Sequence, residues 1–306
     1  MKFALTDDQA SVLAGLDQLL AGFDSAPPTE PVYFAYASEL DQALAESGFL
    51  DIAREEGFGA LDAALIVERL ARLPRVVEAA ASSIVAPALG VPVGTRPVAL
   101  VSGDPTKPAR FLPMAQVLLA DRGDHVAMIT VDPDNVETIE TLFAYPYGRL
   151  KTLDGVKQTR IADVAAFRRR WRIALAAEAA GCMASALDQI LDHVKTRQAF
   201  GQPLGAFQAI QHRLAMAAET TESTRWLALR AAWSDNDADA AIAAGFAQTR
   251  TAQFTYDLHQ FAGAMGLTLE FPLHLWTYRL RALAGELGGG SRQAQAAALA
   301  AWPDAA

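Results

Sequence analysis

The 306-residue sequence contains a single cysteine, Cys182, and only five histidines. One cysteine allows no disulfide within the chain and argues against a cysteine-based metal site. No pair of histidines has neighbouring carboxylates in the pattern of a metal site, so we predict no bound metal. Cys182 lies in an alanine-rich segment, where a small buried hydrophobic side chain is the expected role.

Long hydrophobic runs and positive charge are also scarce. The longest run without charge, residues 79–95, contains two prolines and falls short of a membrane span. The first residues carry Asp7 and Asp8 and no apolar segment, which predicts no secretory signal. A formal net charge of -9 argues against a nucleic-acid-binding surface. These features together predict a soluble, cytoplasmic protein that binds neither nucleic acid nor a membrane.

Apolar residues make up 52% of the sequence, which predicts a globular chain with two domains or three small ones. Their spacing divides the chain into three parts. A helical period runs over residues 1–94, short apolar runs bounded by turn residues follow over 95–160, and a helical period returns over 161–306. We therefore predict a mainly α fold: an N-terminal helical domain, a reduced middle β domain and a C-terminal helical bundle, with helices over about two thirds of the chain.

Individual elements follow from the same patterns. Thr6 and Gln9 fit a capping box that opens a helix through Leu20, which Pro27, Pro28 and Pro31 are expected to end. Helical spacing continues at residues 40–50 and 60–73. The strand pattern occurs at residues 98–101, 115–119, 125–131 and 138–143. The alanine-rich tail beyond residue 291 predicts a short final helix or a frayed end.

The most informative segment joins two long helices. Apolar residues recur at helical spacing before residue 195 and after residue 206, and two glycines and a proline break the helix between them. The tight turn carries Arg197 and Phe200, so it offers a guanidinium fork, an aromatic edge and free backbone N–H groups. A pyrophosphate-bearing ligand needs such groups. An ordinary helical hairpin with a solvated arginine is the alternative that the residues alone leave open.

The same segment is similar to a signature of the acyl-CoA dehydrogenases, flavoproteins that desaturate an acyl thioester between Cα and Cβ. Residues 197–212 contain R-Q-A-F-G and F-Q-A-I-Q-H, which resemble the family pattern R-x-x-F-G…F-Q-x-x-Q-H. Residues 260–270, Q-F-A-G-A-M-G-L-T-L-E, resemble Q-x-x-G-G-x-G-x-T-x-E, and residues 3–9, F-A-L-T-D-D-Q, resemble the opening F-x-L-T-x-E-Q. The three matches occur in the family order and span nearly the whole chain.

The resemblance implies the three-part acyl-CoA dehydrogenase architecture, with FAD as cofactor. Arg197 is expected to pair with the FAD pyrophosphate, because a guanidinium group matches two phosphate oxygens at once. The family completes its flavin site across a dimer interface with this turn, so Arg197 and Phe200 are expected to face a neighbouring chain. The expected cofactor-binding residues are Arg197, Phe200, Leu204, Phe207, Gln208, Gln260, Gly263 and Gly266. The family's middle β domain is longer and carries a T-E-P-x-x-G-S loop that this sequence lacks, so the β half of the flavin site is expected to be reduced or missing.

No residue of the sequence is predicted to be the catalytic base. Many members use the glutamate of a Y-E-G-T segment, nine residues after the arginine of Y-R-x-A. Residues 278–281, Y-R-L-R, match the start, but the ninth residue after this arginine is Gly288; a two-residue slip would bring Glu286 there. Other members carry the base near the positions of Trp171 and Arg172, and neither side chain is a carboxylate.

Other charged residues have weaker patterns. Glu178 is a lone acid on a helix of small residues, where the solvent face is favoured over a buried, hydrogen-bonded position. Glu270 is expected to cap or position the following helix. The arginines at 168–170 and 172 form a basic patch that suits a phosphorylated ligand, although a solvated helix start is favoured. Among the histidines, His212 and His259 flank the motif glutamines, His274 has the spacing of a core or groove residue, and His125 and His193 have the pattern of exposed residues.

Three hypotheses for function remain. The first is one subunit of a heteromeric acyl-CoA dehydrogenase, similar to bacterial enzymes that oxidise steroid side chains, in which this chain completes the FAD site and another chain carries the base. The second is a self-sufficient homo-oligomeric dehydrogenase that uses Glu286 or another base. The third is a helical scaffold without catalysis. The first two imply an acyl-CoA substrate and an electron-transfer flavoprotein as electron acceptor.

Overall fold

The computed structural model describes residues 4–23, 36–161 and 163–302 and is 63% helical, as the periodicity predicts. Within these residues the α-helices are α1 (Asp7–Leu20), α2 (Ser38–Glu46), α3 (Ala60–Ala71), α4 (Ala86–Ala88), α5 (Val164–Thr196), α6 (Gln208–Ser234), α7 (Asp237–Ala262), α8 (Leu273–Gly285) and α9 (Gly289–Ala301). A π-helical turn, Ala81–Val85, leads into α4. Short 3-10 helices lie at Phe49–Arg54, Leu112–Met114, Pro133–Asn135, Leu204–Ala206, Gly263–Leu267 and Glu286–Gly288.

The strands lie between α4 and α5, apart from one small hairpin. They are β1 (Val98–Ser102), β2 (Ala109–Arg110), β3 (Val117–Asp121), β4 (Val126–Thr130), β5 (Val136–Ile139), β6 (Tyr147–Leu150) and β7 (Gln158–Ile161), with β8 (Gln198–Ala199) and β9 (Gln202–Pro203) in the hairpin. One sheet has the order β1-β3-β4-β7, in which β1 and β3 run parallel and the other pairs antiparallel. The second sheet is antiparallel, in the order β2-β6-β5.

The elements follow the sequence patterns closely where those patterns are long. The four predicted strands correspond to β1, β3, β4 and β5, with ends that differ by a few residues. Strands β2, β6 and β7 have too few alternating apolar residues to be recognised in the sequence. The alanine-rich tail forms the helix α9, and the prolines expected to end α1 lie outside the described residues.

The start of α1 has the predicted capping box. The hydroxyl of Thr6 accepts a hydrogen bond from the backbone N–H of Gln9 at 3.2 Å, and the side chain of Gln9 accepts one from the N–H of Thr6 at 3.1 Å. The amide of Gln9 also donates to Asp62 of α3 at 2.9 Å. The cap therefore begins α1 and fixes it to the neighbouring helix.

We expect Thr6→Ala to lower the free energy of unfolding by about 1 kcal/mol, because the N–H of Gln9 loses its acceptor. Urea unfolding followed by circular dichroism measures the loss. Ser11→Ala is the matched control, since the Ser11 hydroxyl donates only to a carbonyl within α1 and its loss should change stability by a few tenths of a kcal/mol at most. Equal losses in the two variants would contradict the role of the cap.

Helix α5 is the centre of the molecule and packs against α3, α6, α7 and α8. Its small residues allow close approach: a Cβ on Gly181 would lie 2.7 Å from the Cβ of Ala71 and would overlap the carbonyl oxygen of Glu68. Cys182 is fully buried beside this contact, as predicted. Within the described residues α5 is also the one helix long and apolar enough to cross a membrane, but 83% of its apolar 18-residue stretch is buried inside the fold, as in a core helix.

The buried apolar residues form connected clusters. The largest joins the N-terminal helices to β1, β3 and the first half of α5, and a second fills the bundle between α5, α7 and α8. A third lies within the sheets. Because the largest cluster includes residues from all three predicted parts, the division at residues 94 and 160 stays a prediction.

Candidate functional site

The segment between α5 and α6 folds as a tight hairpin. Strands β8 and β9 pair across Phe200 and Gly201, whose φ angles are 52° and 80°. Glycine adopts this left-handed region without strain, whereas phenylalanine rarely does. Phe200 is 95% exposed, and its ring lies edge-on to that of Phe207, with ring centroids 6.2 Å apart. The hairpin therefore presents an aromatic ring at its tip.

Arg197 lies at the base of the hairpin. Its backbone N–H donates to the carbonyl of His193 at 2.9 Å, and its own carbonyl accepts from the N–H of Leu204 at 2.9 Å. The side chain is exposed, and its guanidinium forms no hydrogen bond or ion pair with any residue that the structure describes. Burial lowers the pKa of His193, and the positive charge of Arg197 lowers it further. The turn thus fixes the backbone of Arg197 and leaves its guanidinium accessible, with no partner among the described residues.

The other residues of this motif divide into anchors and exposed groups. Leu204 packs against the core of the bundle, and Phe207 is half-buried at the N-cap of α6. Gln208 begins α6 and is exposed. The sequence prediction for Arg197, Phe200 and Gln208 requires accessible side chains, which all three have.

The second motif lies at the end of α7. Gln260 is exposed in the last turn, and Gly263 ends the helix with a φ of 62°. Gly266 is buried, and a Cβ there would lie 2.8 Å from the Cβ of Ala262. Its carbonyl also contacts the imidazole of His259 at 2.8 Å. The lack of a side chain at Gly266 therefore allows close packing within this chain, against Ala262.

The two motifs lie at the same end of the bundle, because successive helices from α5 to α8 alternate in direction. Arg213 of α6 lies 5.2 Å from the ring centre of Phe261 of α7, and His193 of α5 lies 5.3 Å from Phe271 before α8. We call the exposed residues Arg197, Phe200, Gln208, Gln260 and Gly263 the motif surface. Exposed apolar side chains at Met265, Leu267 and Leu269 adjoin it.

A buried group of charges lies toward the other end of α5. Arg110 donates to both carboxylate oxygens of Glu178, at 3.0 and 3.2 Å, and to Glu286 at 2.5 Å. The indole N–H of Trp171 donates to the second oxygen of Glu286 at 2.7 Å, and the hydroxyl of Tyr145 donates to Glu178 at 2.7 Å. We call these five residues the Arg110 cluster.

Local structure places both carboxylates against Arg110. Glu286 follows the last residue of α8, where an anion faces the negative end of the helix dipole and needs a cation. The next two residues, Leu287 and Gly288, have left-handed φ angles of 51° and 85°, which turn the chain back into α9. The side chain of Gln248 donates to the carbonyls of Leu283 and Glu286 at 2.9 and 2.8 Å and holds this turn.

The electrostatics of the cluster follow from its burial. Burial lowers the pKa of Arg110, but Glu178 and Glu286 outweigh it, so the pKa stands well above its ordinary value. Burial raises the pKa of Tyr145 well above its usual range, and the charge of Glu178 adds to the shift. Burial likewise raises the pKa of the nearby Cys182 thiol to about 12. The raised pKa of Arg110 keeps its guanidinium charged, and the raised pKa of Tyr145 keeps its hydroxyl a neutral hydrogen-bond donor to Glu178.

A cavity of about 380 Å³ opens beside this cluster, lined on one side by Arg110, Tyr147 and Trp171 and on the other by the turn at Glu286 and Gly288. Burial raises the pKa of Tyr147, so its hydroxyl is a hydrogen-bond donor across the physiological range. The cavity is the place where a ligand would meet Glu286. The carboxylate there already accepts hydrogen bonds from Arg110 and Trp171.

Several sequence expectations about charged residues are wrong. Glu178 is not on the solvent face: it is 6% exposed, because Arg110 and Tyr145 supply the partners that make its burial possible. The capping role expected of Glu270 is not found either, since α8 begins at Leu273 with Pro272 as its N-cap and no side-chain cap; a positioning role of Glu270 stays a prediction.

The basic patch is not a solvated helix start either. Arg168 pairs with Asp121, and Arg169 and Arg170 pair with acids of the α6–α7 turn at 2.8–3.0 Å. Arg172 instead donates to a buried glutamine, Gln293, at 2.7 Å. Tertiary contacts with acids far along the sequence therefore decide how these arginines are used.

The histidines contribute little to either site. His274 is buried, as its spacing predicts, and His212 is exposed. His259 is held between the carbonyl of Gly266 and the hydroxyl of Thr277. His125 and His193 are half-buried, not exposed. Among the described residues no group of three or more metal-ligating side chains is close enough to hold a metal ion.

Sequence reasoning missed Arg110, the residue that organises the buried cluster. It lies on a two-residue strand and matches no motif, and its partners lie 68 and 176 residues further along the chain. Only an acid on an otherwise apolar helix, Glu178, indicated that a buried cation was needed.

Comparison with known proteins shows which family this chain resembles. Residues 166–302 match the family described as "Acyl-CoA dehydrogenase, C-terminal domain". The acyl-CoA dehydrogenase FadE34 of Mycobacterium tuberculosis is 32% identical over 195 residues, which cover 59% of this chain and 27% of that protein. The chain thus spans only about a quarter of the length of this relative.

Solved structures share the whole fold. A structure of the Tcur3481–Tcur3483 steroid ACAD aligns with a TM-score of 0.79 at 22% identity, over 98% of this chain and 99% of that one. The ChsE4–ChsE5 complex from Mycobacterium tuberculosis aligns with a TM-score of 0.75 at 19% identity, over 96% and 97% of the two chains. At these identities the alignments establish the fold.

Proposed function

We propose a function for this chain, which belongs to the acyl-CoA dehydrogenase family by its C-terminal domain and its fold. The chain is a subunit that completes the FAD site of a second acyl-CoA dehydrogenase chain, and that second chain carries the catalytic base. The assembly would desaturate an acyl-CoA between Cα and Cβ in the cytoplasm. The observation that carries the proposal is the pairing of an accessible motif surface with a buried Arg110 cluster that engages the carboxylates of Glu178 and Glu286.

FAD is the cofactor of this family, and when bound it accepts the hydride that leaves Cβ. The motif surface fits a cofactor that approaches from outside the chain. Arg197 has no described partner for its guanidinium, and such a group suits a pyrophosphate. The exposed ring of Phe200 offers a flat apolar face beside it. We assign Arg197, Phe200, Gln208 and Gln260 to the cofactor held by the neighbouring chain, with Gly263 ending α7 close to it.

The remaining residues that were expected to bind the cofactor lie beneath the motif surface and support its backbone. Leu204 and Phe207 are half-buried and fix the hairpin to the bundle, so we assign them to positioning of the turn. Gly266 permits the packing of the α7–α8 turn against Ala262. Their substitution should therefore change cofactor binding indirectly, through the shape of the turn.

The Arg110 cluster supports assigning the base to another chain. A general base must have a carboxylate oxygen directed at the substrate proton. Both oxygens of Glu286 already accept hydrogen bonds, from Arg110 and Trp171, and Glu178 is engaged by Arg110 and Tyr145. Proton abstraction by Glu286 would therefore compete with its hydrogen bonds from Arg110 and Trp171.

Partners and substrate follow from the same proposal. The exposed apolar side chains next to the motif surface, among them Leu267 at 85% exposure, suit burial against a second acyl-CoA dehydrogenase chain. Two structures with the same fold are a complex of two named chains and a steroid ACAD, so a steroid-derived acyl-CoA is the first substrate to try. An electron-transfer flavoprotein is the proposed electron acceptor.

A self-sufficient dehydrogenase is the second candidate function. It is favoured by the position of Glu286, which lines a cavity of about 380 Å³ directly after α8. Under this alternative the purified chain alone binds FAD and oxidises an acyl-CoA, and Glu286→Gln abolishes the reaction without loss of flavin.

Co-expression with a base-bearing family member from the same genome tests the two candidates. We expect the isolated chain to purify without yellow colour and without acyl-CoA oxidation in a dye-reduction assay, and the complex to have both. Turnover by the isolated chain at ordinary enzyme rates would overturn the subunit proposal. A complex that binds no flavin would leave only the scaffold hypothesis.

Arg197→Ala should weaken FAD retention in the assembled complex by about 1.5–3 kcal/mol, the range for a hydrogen bond to a charged group. Flavin fluorescence after dilution and filtration measures the retained fraction. Arg230→Ala is the matched control, because Arg230 is an exposed arginine near the opposite end of α6 that pairs with Asp239. Equal flavin content in both variants would show that the turn does not contact the cofactor.

A further inference from the structure

Two small cavities lie behind the cavity of about 380 Å³ beside Glu286, which we call the outer cavity. The nearer one, of about 20 Å³, is enclosed by the π-helical turn, β1 and α5. The farther one, also of about 20 Å³, lies against the end of α3. Each of these two inner cavities has room for about one water molecule, so neither accepts a ligand as the structure stands.

The side chains that separate the cavities belong to the Arg110 cluster. Arg110, Trp171 and Glu286 line both the outer cavity and the nearer inner cavity, and they form the partition between the two. Glu178 in turn lines both inner cavities. The three cavities therefore follow one another as a single channel, which the cluster divides at two points.

The partition is held firmly in its closed position. The Nε of Arg110 donates to one oxygen of Glu286 at 2.5 Å, and the indole of Trp171 donates to the other at 2.7 Å. The guanidinium also lies 4.5 Å from the ring centre of Tyr145 and 5.5 Å from that of Phe111, distances at which a cation and an aromatic ring attract each other. Partners on several elements thus hold Arg110 across the channel.

The wall of the nearer inner cavity is apolar, and part of it consists of small side chains. Ala80 and Ala81 lie at the start of the π-helical turn and Ala174 lies on α5. All three are buried, and none extends beyond its Cβ. The side chains of Arg110 and Glu178 therefore occupy the space through which the outer cavity would otherwise continue inward.

We propose that the Arg110–Glu286 ion pair is an internal closure that keeps an apolar chain out of this channel. With the pair in place, the outer cavity ends at charged groups that already have hydrogen-bond partners. An apolar chain can advance only by separating two buried charges, which is strongly unfavourable. Without the pair, the small apolar side chains behind it suit a hydrocarbon chain. The inference goes beyond the proposed subunit role, because it concerns the isolated chain without flavin or partner.

Two charge-compensated variants test the closure, because removal of Arg110 alone would leave buried acids unpaired. The open variant carries Arg110→Ala, Glu178→Gln and Glu286→Gln. The filled variant carries Arg110→Met with the same two glutamine substitutions, so the two differ only in the bulk of the side chain at position 110. The probe is S-octanoyl-N-acetylcysteamine, a neutral acyl thioester without a nucleotide, and calorimetric titration of the flavin-free chain measures its binding.

We expect the open variant to bind one probe molecule per chain, and the filled variant and the unaltered chain to bind at least tenfold more weakly. Circular dichroism shows whether the open variant keeps its helices. A folded open variant that binds no probe would overturn the proposal. Equal binding by the two variants, or by the open variant and the unaltered chain, would also overturn it, since the side chain at position 110 would then not close the channel.

Thiol accessibility provides a second measurement that is decisive even if the open variant does not fold. In a Cys182→Ala background, Ala174→Cys places a thiol in the nearer inner cavity and Ser102→Cys places one in the outer cavity. Addition of Glu286→Gln removes the closing ion pair and leaves the pair of Arg110 with Glu178.

We expect Glu286→Gln to accelerate the reaction of the inner thiol with methyl methanethiosulfonate at least tenfold and to leave that of the outer thiol unchanged. An inner thiol that reacts equally fast with and without Glu286→Gln would overturn the proposal. None of these measurements involves flavin, a partner chain or Arg197, so their failure would be distinct from failure of the FAD-completing role.

Discussion

Arg110→Met is expected to destabilise the chain by about 3–5 kcal/mol, because it leaves two buried carboxylates without their cation. Arg110 forms ion pairs with both Glu178 and Glu286, and no other cation among the residues that the structure describes pairs with either acid. Both acids have side chains no more than 15% exposed, so water cannot replace the lost partner at low cost. Chemical denaturation with urea measures the change in the free energy of unfolding.

Arg149→Ala is the matched control for this variant. Arg149 forms an ion pair with Glu137 on the neighbouring strand of the same sheet as β2, and both side chains are about half exposed, at 50% and 48%. An exposed pair of this kind contributes at most about 1 kcal/mol. A loss in Arg110→Met no larger than that in the control would show that the buried acids do not depend on Arg110.

A rescue experiment separates lost charge balance from lost packing. The triple variant Arg110→Met, Glu178→Gln, Glu286→Gln removes all three charges and keeps side chains of similar volume. We expect it to recover a large part of the stability, since replacing a complete buried ion network by neutral groups is often close to neutral in energy. Failure to recover any stability would indicate that the guanidinium acts mainly by packing over the Tyr145 ring, 4.5 Å away.

Gly181→Ala should have the second-largest effect, a loss of about 3 kcal/mol in the free energy of unfolding. The new Cβ would overlap the backbone carbonyl of Glu68 and approach the Cβ of Ala71 to 2.7 Å. Backbone atoms cannot rotate away, so α3 and α5 must separate, and overpacking of this kind typically costs about 1–3 kcal/mol or more. The loss would occur although alanine is intrinsically the better helix former by about 1 kcal/mol.

Gly285→Ala is the control for this second variant. Gly285 ends α8 with a φ of -92°, and a Cβ added there would have no atom beyond its own neighbourhood within 4 Å. Its substitution should be neutral or stabilising by up to about 1 kcal/mol. Thermal and urea denaturation measure the stability of the two variants side by side. Similar stabilities would mean that α3 and α5 are not in close contact.

The fold class and the elements with long, regular patterns could be predicted from the amino-acid sequence alone. The capping box at Thr6, the helical period before residue 94 and after residue 160, and the apolar runs that became β1, β3 and β4 all depend on neighbours within a few residues. Local backbone preferences and amphipathic spacing act at that range. The ordered motifs also predicted the resemblance to acyl-CoA dehydrogenases, whose C-terminal domain residues 166–302 match, and the turn at Arg197.

The pairing of the charged side chains could not be predicted in this way, because it depends on tertiary contacts. Glu178 had the pattern of a solvent-facing acid, and it is buried because Arg110, 68 residues earlier, pairs with it. The arginines at the start of α5 had the pattern of one solvated patch, yet three of them form ion pairs and Arg172 is held by Gln293. The burial of a charge depends on which distant element supplies the opposite charge, and sequence spacing contains no record of that contact.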